Sequence, residues 1–195
     1  MQAHDPGPDA IELLQRDHDK ISRLLAELAA GPVGTVPADG DDPRGATVEQ
    51  LVICTSRHEA IEEQYFWPVV RRRVRDGAQL ADEAVSQELK VKYALDLLDG
   101  LDPAEGEFEL LLRQLVSVCH AHLGFEESRV WPAVRLALSE QELADLGAQL
   151  WQSRRLAPTR PHPHLPSDPE VQRLAGRIAG ATDRIRDALT GRTGM

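Results

Sequence analysis

His58-Glu-Ala-Ile-Glu62-Glu63-Gln-Tyr-Phe-Trp67-Pro68-Val-Val70-Arg71 returns 64 residues later as His122-Leu-Gly-Phe-Glu126-Glu127-Ser-Arg-Val-Trp131-Pro132-Ala-Val134-Arg135, with seven of fourteen positions identical. An internal repeat of that quality is the first feature of a sequence to explain. Each copy sets a His and a Glu four residues apart. On a helix that spacing puts both side chains on one face, with Cβ atoms about 5–6 Å apart. Two such faces turned towards each other offer two imidazoles and two carboxylates to one point, the outline of a metal site.

Upstream of the repeat, Asp9 after Pro8 N-caps a first helix that runs to Gly31-Pro32. Its apolar stripe of Ile11, Leu14, Ile21, Leu24, Leu25 and Leu28 takes in His18. A second helix, from about Thr47 to Arg75, carries the first motif copy, and Pro68 is expected to kink it rather than end it. The Arg71, Arg72, Arg73 and Arg75 cluster complements the negative end of that helix. A third helix lies between Gln79 and Gly100. Asp102-Pro103-Ala-Glu105 opens a fourth, which holds the second copy. Short links between long amphipathic helices make an all-α, up-down-up-down four-helix bundle over residues 9–138. The second and fourth helices then lie diagonally and parallel, with both motifs at one depth.

A C-terminal helical extension, residues 139–190, is expected to pack on the bundle. Ser139 and Glu142 form a capping box for a helix reaching about Arg155. A Pro-rich passage from Pro158 to Pro166 comes next, and Asp168-Pro169 starts a last helix towards Leu189. Trp67 and Trp131, half a helical turn round from their histidines, are candidate docking surface for this extension. His162 and His164 sit in the Pro-rich passage, which lacks the preorganised geometry of a metal tract.

The 195 residues carry a net charge of −10, which speaks against nucleic-acid binding. No apolar run reaches the roughly 18–20 residues of a membrane span, and the N-terminus is too polar for a signal peptide. The expected location is cytoplasmic, with no membrane partner. Cys54 and Cys119 make no disulfide framework and read as small buried residues, with a redox or ligand role the alternative. No side chains stand in a nucleophile–base arrangement, so hydrolase chemistry is not supported.

Helix 1 places Ile21 and Leu25 three and seven residues after His18, and helix 3 places Val91 and Leu95 at the same offsets from Glu88. Lys20 is likewise matched by Lys90. Glu88 is thus the counterpart of His18, unless it is one more solvated helix-face Glu. The candidate ligand set is His18, His58, Glu62, Glu88, His122 and Glu126. The alternative is a structural polar network, but several ionisable groups in one core call for a counter-charge that a metal supplies. Glu59, one residue past His58 and about 100° round the helix, is expected to stand clear of the site.

Asp17-His18, His58-x-x-x-Glu62-Glu63 with Trp67-Pro68, and His122-x-x-x-Glu126-Glu127 with Trp131-Pro132 resemble the hemerythrin-like (HHE cation-binding) domain proteins over about residues 9–138. That resemblance implies a four-helix bundle around two non-haem iron ions, oxo- or hydroxo-bridged when oxidised. Carried over by position, His18 and His58 would serve one iron and Glu88 and His122 the other, with Glu62 and Glu126 bridging. Oxygen-carrying hemerythrins surround their irons mainly with histidine, including two from the third helix. This chain offers three His and three Glu, with Lys92 one turn past Glu88. Carboxylate oxygens favour the ferric state, which argues against reversible O₂ carriage.

The resemblance thus implies a di-iron protein that senses, stores or buffers iron, O₂ or NO. Its partner would be a small diatomic ligand or peroxide. A di-iron redox enzyme that decomposes peroxide or reduces NO is the second reading, and a metal-stabilised interaction module the third. A site and not a fold decides among them.

Overall fold

Asp9 starts the first helix with a reciprocal capping box. Its carboxylate accepts the Glu12 N–H at 2.8 Å, and the Glu12 carboxylate accepts the Asp9 N–H at 3.1 Å. The computed structural model describes residues 7–31, 42–163, 179–184 and 186–188. In it this helix, α1, spans Ala10–Ala29 and buries Ile11, Leu14, Ile21, Leu25 and Leu28 together with Asp17 and His18. The first inter-helix loop falls largely at 32–41, outside the described residues.

The second long helix is α2 (Arg44–Ile61), a π turn over Glu62–Phe66, and α3 (Trp67–Arg73). The fourth repeats this build as α5 (Phe108–Phe125), a π turn over Glu126–Val130, and α6 (Trp131–Ala137). In each copy the Trp N–H reaches back five residues, Trp67 to the Glu62 carbonyl and Trp131 to the Glu126 carbonyl. Pro68 and Pro132 have no N–H to donate, and their rings crowd the carbonyl four residues earlier. The helix accommodates them by widening through one π turn. Each π turn sets the residues downstream of it back by about one position, or roughly 100°. This corrects the expected orientation of the tryptophans. Trp67 and Trp131 do not form an outer docking surface but turn inward and are 2% and 4% exposed.

Between α3 and α4 (Gly77–Leu98) the chain reverses through Asp76, at φ 57°. A Cβ on Gly77 would lie 2.0 Å from the Val70 carbonyl oxygen, so this turn admits only glycine. The fourth helix begins later than expected. Asp102 accepts the Ala104 N–H at 2.9 Å, but that caps a single turn. Gly106 comes next, and α5 starts at the fully buried Phe108, over whose ring the Arg44 guanidinium lies 5.0 Å from the centroid.

α1 packs on α2 and α5, and α4 packs on α3 and α5, the neighbour pattern of an up-down-up-down bundle with its second and fourth helices on a diagonal. The apolar core falls into two clusters. Leu14, Ile61, Ala84 and Val130 belong to one, and Ile21, Cys54, Val91 and Leu123 to the other. On each of the four helices a buried polar residue lies between the members of these pairs: His18, His58, Glu88 and Glu126. A polar layer therefore divides the core at one height.

The extension begins with α7 (Glu140–Arg154), opened by the Ser139–Glu142 capping box. Leu143, Leu146 and Leu150 enter the first core cluster. A Cβ on Gly147 would lie 2.5 Å from the Pro8 carbonyl oxygen, which measures how closely α7 approaches the start of α1. Beyond it, Asp183 accepts the Thr159 and Arg160 N–H groups at 3.1 and 3.2 Å and lies 3.0 Å from His162 Nε2. That contact occupies His162. His164 and residues 165–178 lie outside the described residues, while 179–184 and 186–188 are helical. Among the described residues there is no strand, and no helix is long and apolar enough to cross a membrane.

Candidate metal centre

Four helices deliver six side chains to the polar layer. His18 comes from α1, His58 from the last turn of α2, Glu62 from the first π turn, Glu88 from α4, His122 from the last turn of α5 and Glu126 from the second π turn. All six are at most 2% exposed. Their ligand atoms gather into two adjoining groups, His18–His58–Glu126 and Glu62–Glu88–His122–Glu126, each with its atoms within 4.8 Å of one another. Glu126 belongs to both. Its Oε2 lies 3.1 Å from His18 Nε2 and its Oε1 lies 3.3 Å from His122 Nε2. Glu62 reaches across too, with Oε2 at 3.2 Å from His58 Nε2.

These atoms are poorly served by hydrogen bonds. Both oxygens of Glu62, both ring nitrogens of His122, Glu88 Oε2 and Glu126 Oε1 have no partner. Unpaired buried polar atoms cost roughly 1–3 kcal/mol each, so a cluster of them in a native core needs a reason. A carboxylate-rich group of unpartnered lone pairs, adjoining a group in which His18 Nε2 lies 3.2 Å from His58 Nε2 and 3.1 Å from Glu126 Oε2, fits divalent cations. Nitrogen and oxygen donors in this mixture suit iron, manganese and zinc.

The electrostatics agree. Burial pushes the Glu62 and Glu88 carboxyls well above the usual carboxylate range, and neighbouring carboxylates add to this: Glu126, Glu88 and Glu59 around Glu62, and Glu63, Glu59 and Glu126 around Glu88. Burial opposes ionisation of Glu126 as well. There His122, His18 and His58 overcome it and hold the group below its ordinary value. Burial takes His122 down to about 4 and lowers His58 as well.

Side chains behind the six orient them. Glu127 Oε1 lies 2.8 Å from His18 Nδ1, which fixes the ring so that Nε2 faces the layer. Trp131 lies against the same imidazole, with ring centroids 4.5 Å apart. The Trp67 indole donates to Glu88 Oε1 at 2.5 Å. Lys92 pairs with Glu63 at 2.5 Å and stands 4.0 Å from Glu88 Oε2. Sequence reasoning missed Glu127, Glu63 and the two indoles as supports. The repeated Glu-Glu and Trp-Pro pairs were a signal for them.

Glu59 belongs to neither ligand group. It is fully buried, neither carboxylate oxygen has a hydrogen-bond partner, and burial raises its pKa to about 8 despite the nearby Lys92. It lines a cavity of about 20 Å³ together with Ser56, Ala60, Glu63, Lys92 and residues 158 and 160–162 of the extension. The extension covers a helix face that the bundle alone would leave to solvent.

The hemerythrin HHE cation binding domain matches the chain over residues 9–134. The chain belongs to that family. A hemerythrin-like protein of Schizosaccharomyces pombe is 25% identical over 141 residues, covering 72% of this chain and 70% of that protein. A DNA nickase of Nostoc is 25% identical over 133 residues, which is 67% of this chain but 35% of the nickase. The crystal structure of a hemerythrin HHE cation binding domain-containing protein from Mycobacterium kansasii covers 90% of this chain and 99% of its own, with a TM-score of 0.64 and 21% identity. That likeness establishes the hemerythrin-like helical fold. The family and the two His/Glu groups together make this hemerythrin-like chain a metal-binding protein.

Proposed function

We propose that the chain is a non-haem di-iron protein that senses, stores or buffers iron, O₂ or NO. The observation that carries this reading is the pair of adjoining ligand groups sharing Glu126. One iron would take His18 and His58, the other Glu88 and His122, and Glu62 and Glu126 would serve both. Two ferrous ions would bring +4 against three ligand carboxylates, the counter-charge this buried layer calls for. When bound, iron would supply redox chemistry and an affinity for O₂, NO or peroxide.

The chain's own residues restrict what can reach it. All six ligands are buried, which favours ligands of two or three atoms. The cavity of about 20 Å³ beside Glu59 and Lys92 is of the size that holds one water-sized molecule. Three carboxylates favour the ferric state, so sensing or storage is preferred to reversible O₂ carriage.

Loading metal-free protein with ferrous iron under nitrogen, then following near-UV spectra with O₂, NO and peroxide, tests this. A change complete after one equivalent of ligand supports a sensor or store. Peroxide consumption over many turnovers, abolished in His122→Ala, would replace it with a redox enzyme.

A further inference from the structure

Arg154, in the last turn of α7, reaches back to the bundle and sets Nη2 2.5 Å from Asp17 Oδ1. The Asp17 side chain is 5% exposed. Its other oxygen, Oδ2, faces Nδ1 of His58 at 3.6 Å, and neither of those two atoms has a hydrogen-bond partner. Arg154, Asp17 and His58 thus form a line from the extension to the ligand layer. Arg154 lies beyond residues 9–134, the stretch that matches the family.

We propose that Arg154 is a positioning residue of the metal centre, acting through Asp17 to orient His58. This rests on the reading of the polar layer as a metal site. A ligating imidazole almost always gives its second N–H to a carboxylate, carbonyl or water, which fixes tautomer and ring angle. His18 has Glu127 for this role. The carboxylate facing His58 Nδ1 is Asp17. A carboxylate this buried needs a paired cation to stay ionised, and a guanidinium is always charged and directional. By holding Oδ1, Arg154 leaves Oδ2 aimed at the imidazole. A carboxylate oxygen held 3.6 Å from Nδ1 favours the tautomer with its proton there, which would leave Nε2 to hold a metal.

The extension is therefore part of the site and not only a cover. Gly147 lets α7 come close enough for Arg154 to reach Asp17. Two exposed ion pairs supply controls, since Arg73–Glu142 at 2.7 Å involves α7 without touching Asp17, and Arg135–Asp9 at 3.2 Å tethers the start of α1.

The test combines ferrous titration under nitrogen with ¹⁵N spectra of the histidine rings in metal-free full-length protein. The set is wild type, Arg154→Ala, Arg154→Lys, Asp17→Ala, the Arg154→Ala/Asp17→Ala double variant and Arg73→Ala, each first shown to be helical. Arg154→Ala should weaken binding of one iron about 10–100-fold, and Arg154→Lys should recover part of that loss. The double variant should bind no worse than Asp17→Ala, and Arg73→Ala should match wild type. In the metal-free protein, Arg154→Ala should lower the share of His58 protonated on Nδ1. Additive losses in the double variant would show that Arg154 only docks α7, and an unchanged tautomer ratio would overturn the proposal as well. If wild type took up no iron, the metal reading would fail while the tautomer ratio still decided the role of Arg154.

Discussion

Trp67 donates its indole N–H to Glu88 Oε1 at 2.5 Å, joining the first motif copy to the one ligand that comes from α4. The π turn makes this contact, because an unbroken α-helix would swing Trp67 about 100° away. Trp67→Phe keeps most of the ring volume and deletes the donor. Iron on the Glu88–His122 side should bind about 10-fold more weakly, with the His18–His58 side unchanged, as read by ferrous titration.

Glu88 itself separates the two positions. Glu88→Ala should weaken one iron strongly and leave the other comparatively tight. Glu88→His removes one negative charge and supplies a neutral imidazole, so the loaded centre should show a higher reduction potential in spectroelectrochemistry. An unchanged potential would mean that Glu88 is not a ligand.

Glu59 gives a pH test in metal-free protein. Its folded-state pKa of about 8 lies above the ordinary carboxylate value, so protonation is favoured in the folded state. That contribution is fully present below about pH 4 and is lost as pH rises towards 8. Glu59→Gln removes the dependence. The stability advantage of the variant should grow between about pH 4 and 8 and then level off, measured by urea unfolding across that range.

Gly147→Ala places a methyl group 2.5 Å from the Pro8 carbonyl oxygen and must push α7 off α1. Overpacking of this kind costs about 1–3 kcal/mol, seen as a melting temperature lower by roughly 2–4 °C per kcal/mol. Half-buried Gly45, with open space where a Cβ would stand, is the control.

The bundle and the six candidate ligands were legible because they depend on local period. Four-residue spacing puts His58 with Glu62 and His122 with Glu126, and the offsets shared by His18 and Glu88 pick out the other two helices. The features that sequence left hidden depend on backbone or tertiary detail. Pro68 and Pro132 were visible, but a kink and a π turn are both ways to absorb a proline, and only the second turns Trp67 and Trp131 inward. The fourth helix starts at Phe108 rather than Asp102 because one capped turn cannot propagate through Gly106. Burial of Glu59 comes from the placement of residues 158–162, and Arg154 meets Asp17 from 137 residues away in the sequence.

Two metals held by six buried side chains are most directly tested by counting iron. Metal-free protein is titrated anaerobically with ferrous iron, freed of excess, and assayed for iron per chain, with the melting temperature taken alongside. The expected result is two irons per chain and a large rise in melting temperature near neutral pH, because binding neutralises the carboxylate layer and is coupled to folding. One iron per chain, or two with no change in melting temperature, would contradict a di-iron centre built from His18, His58, Glu62, Glu88, His122 and Glu126.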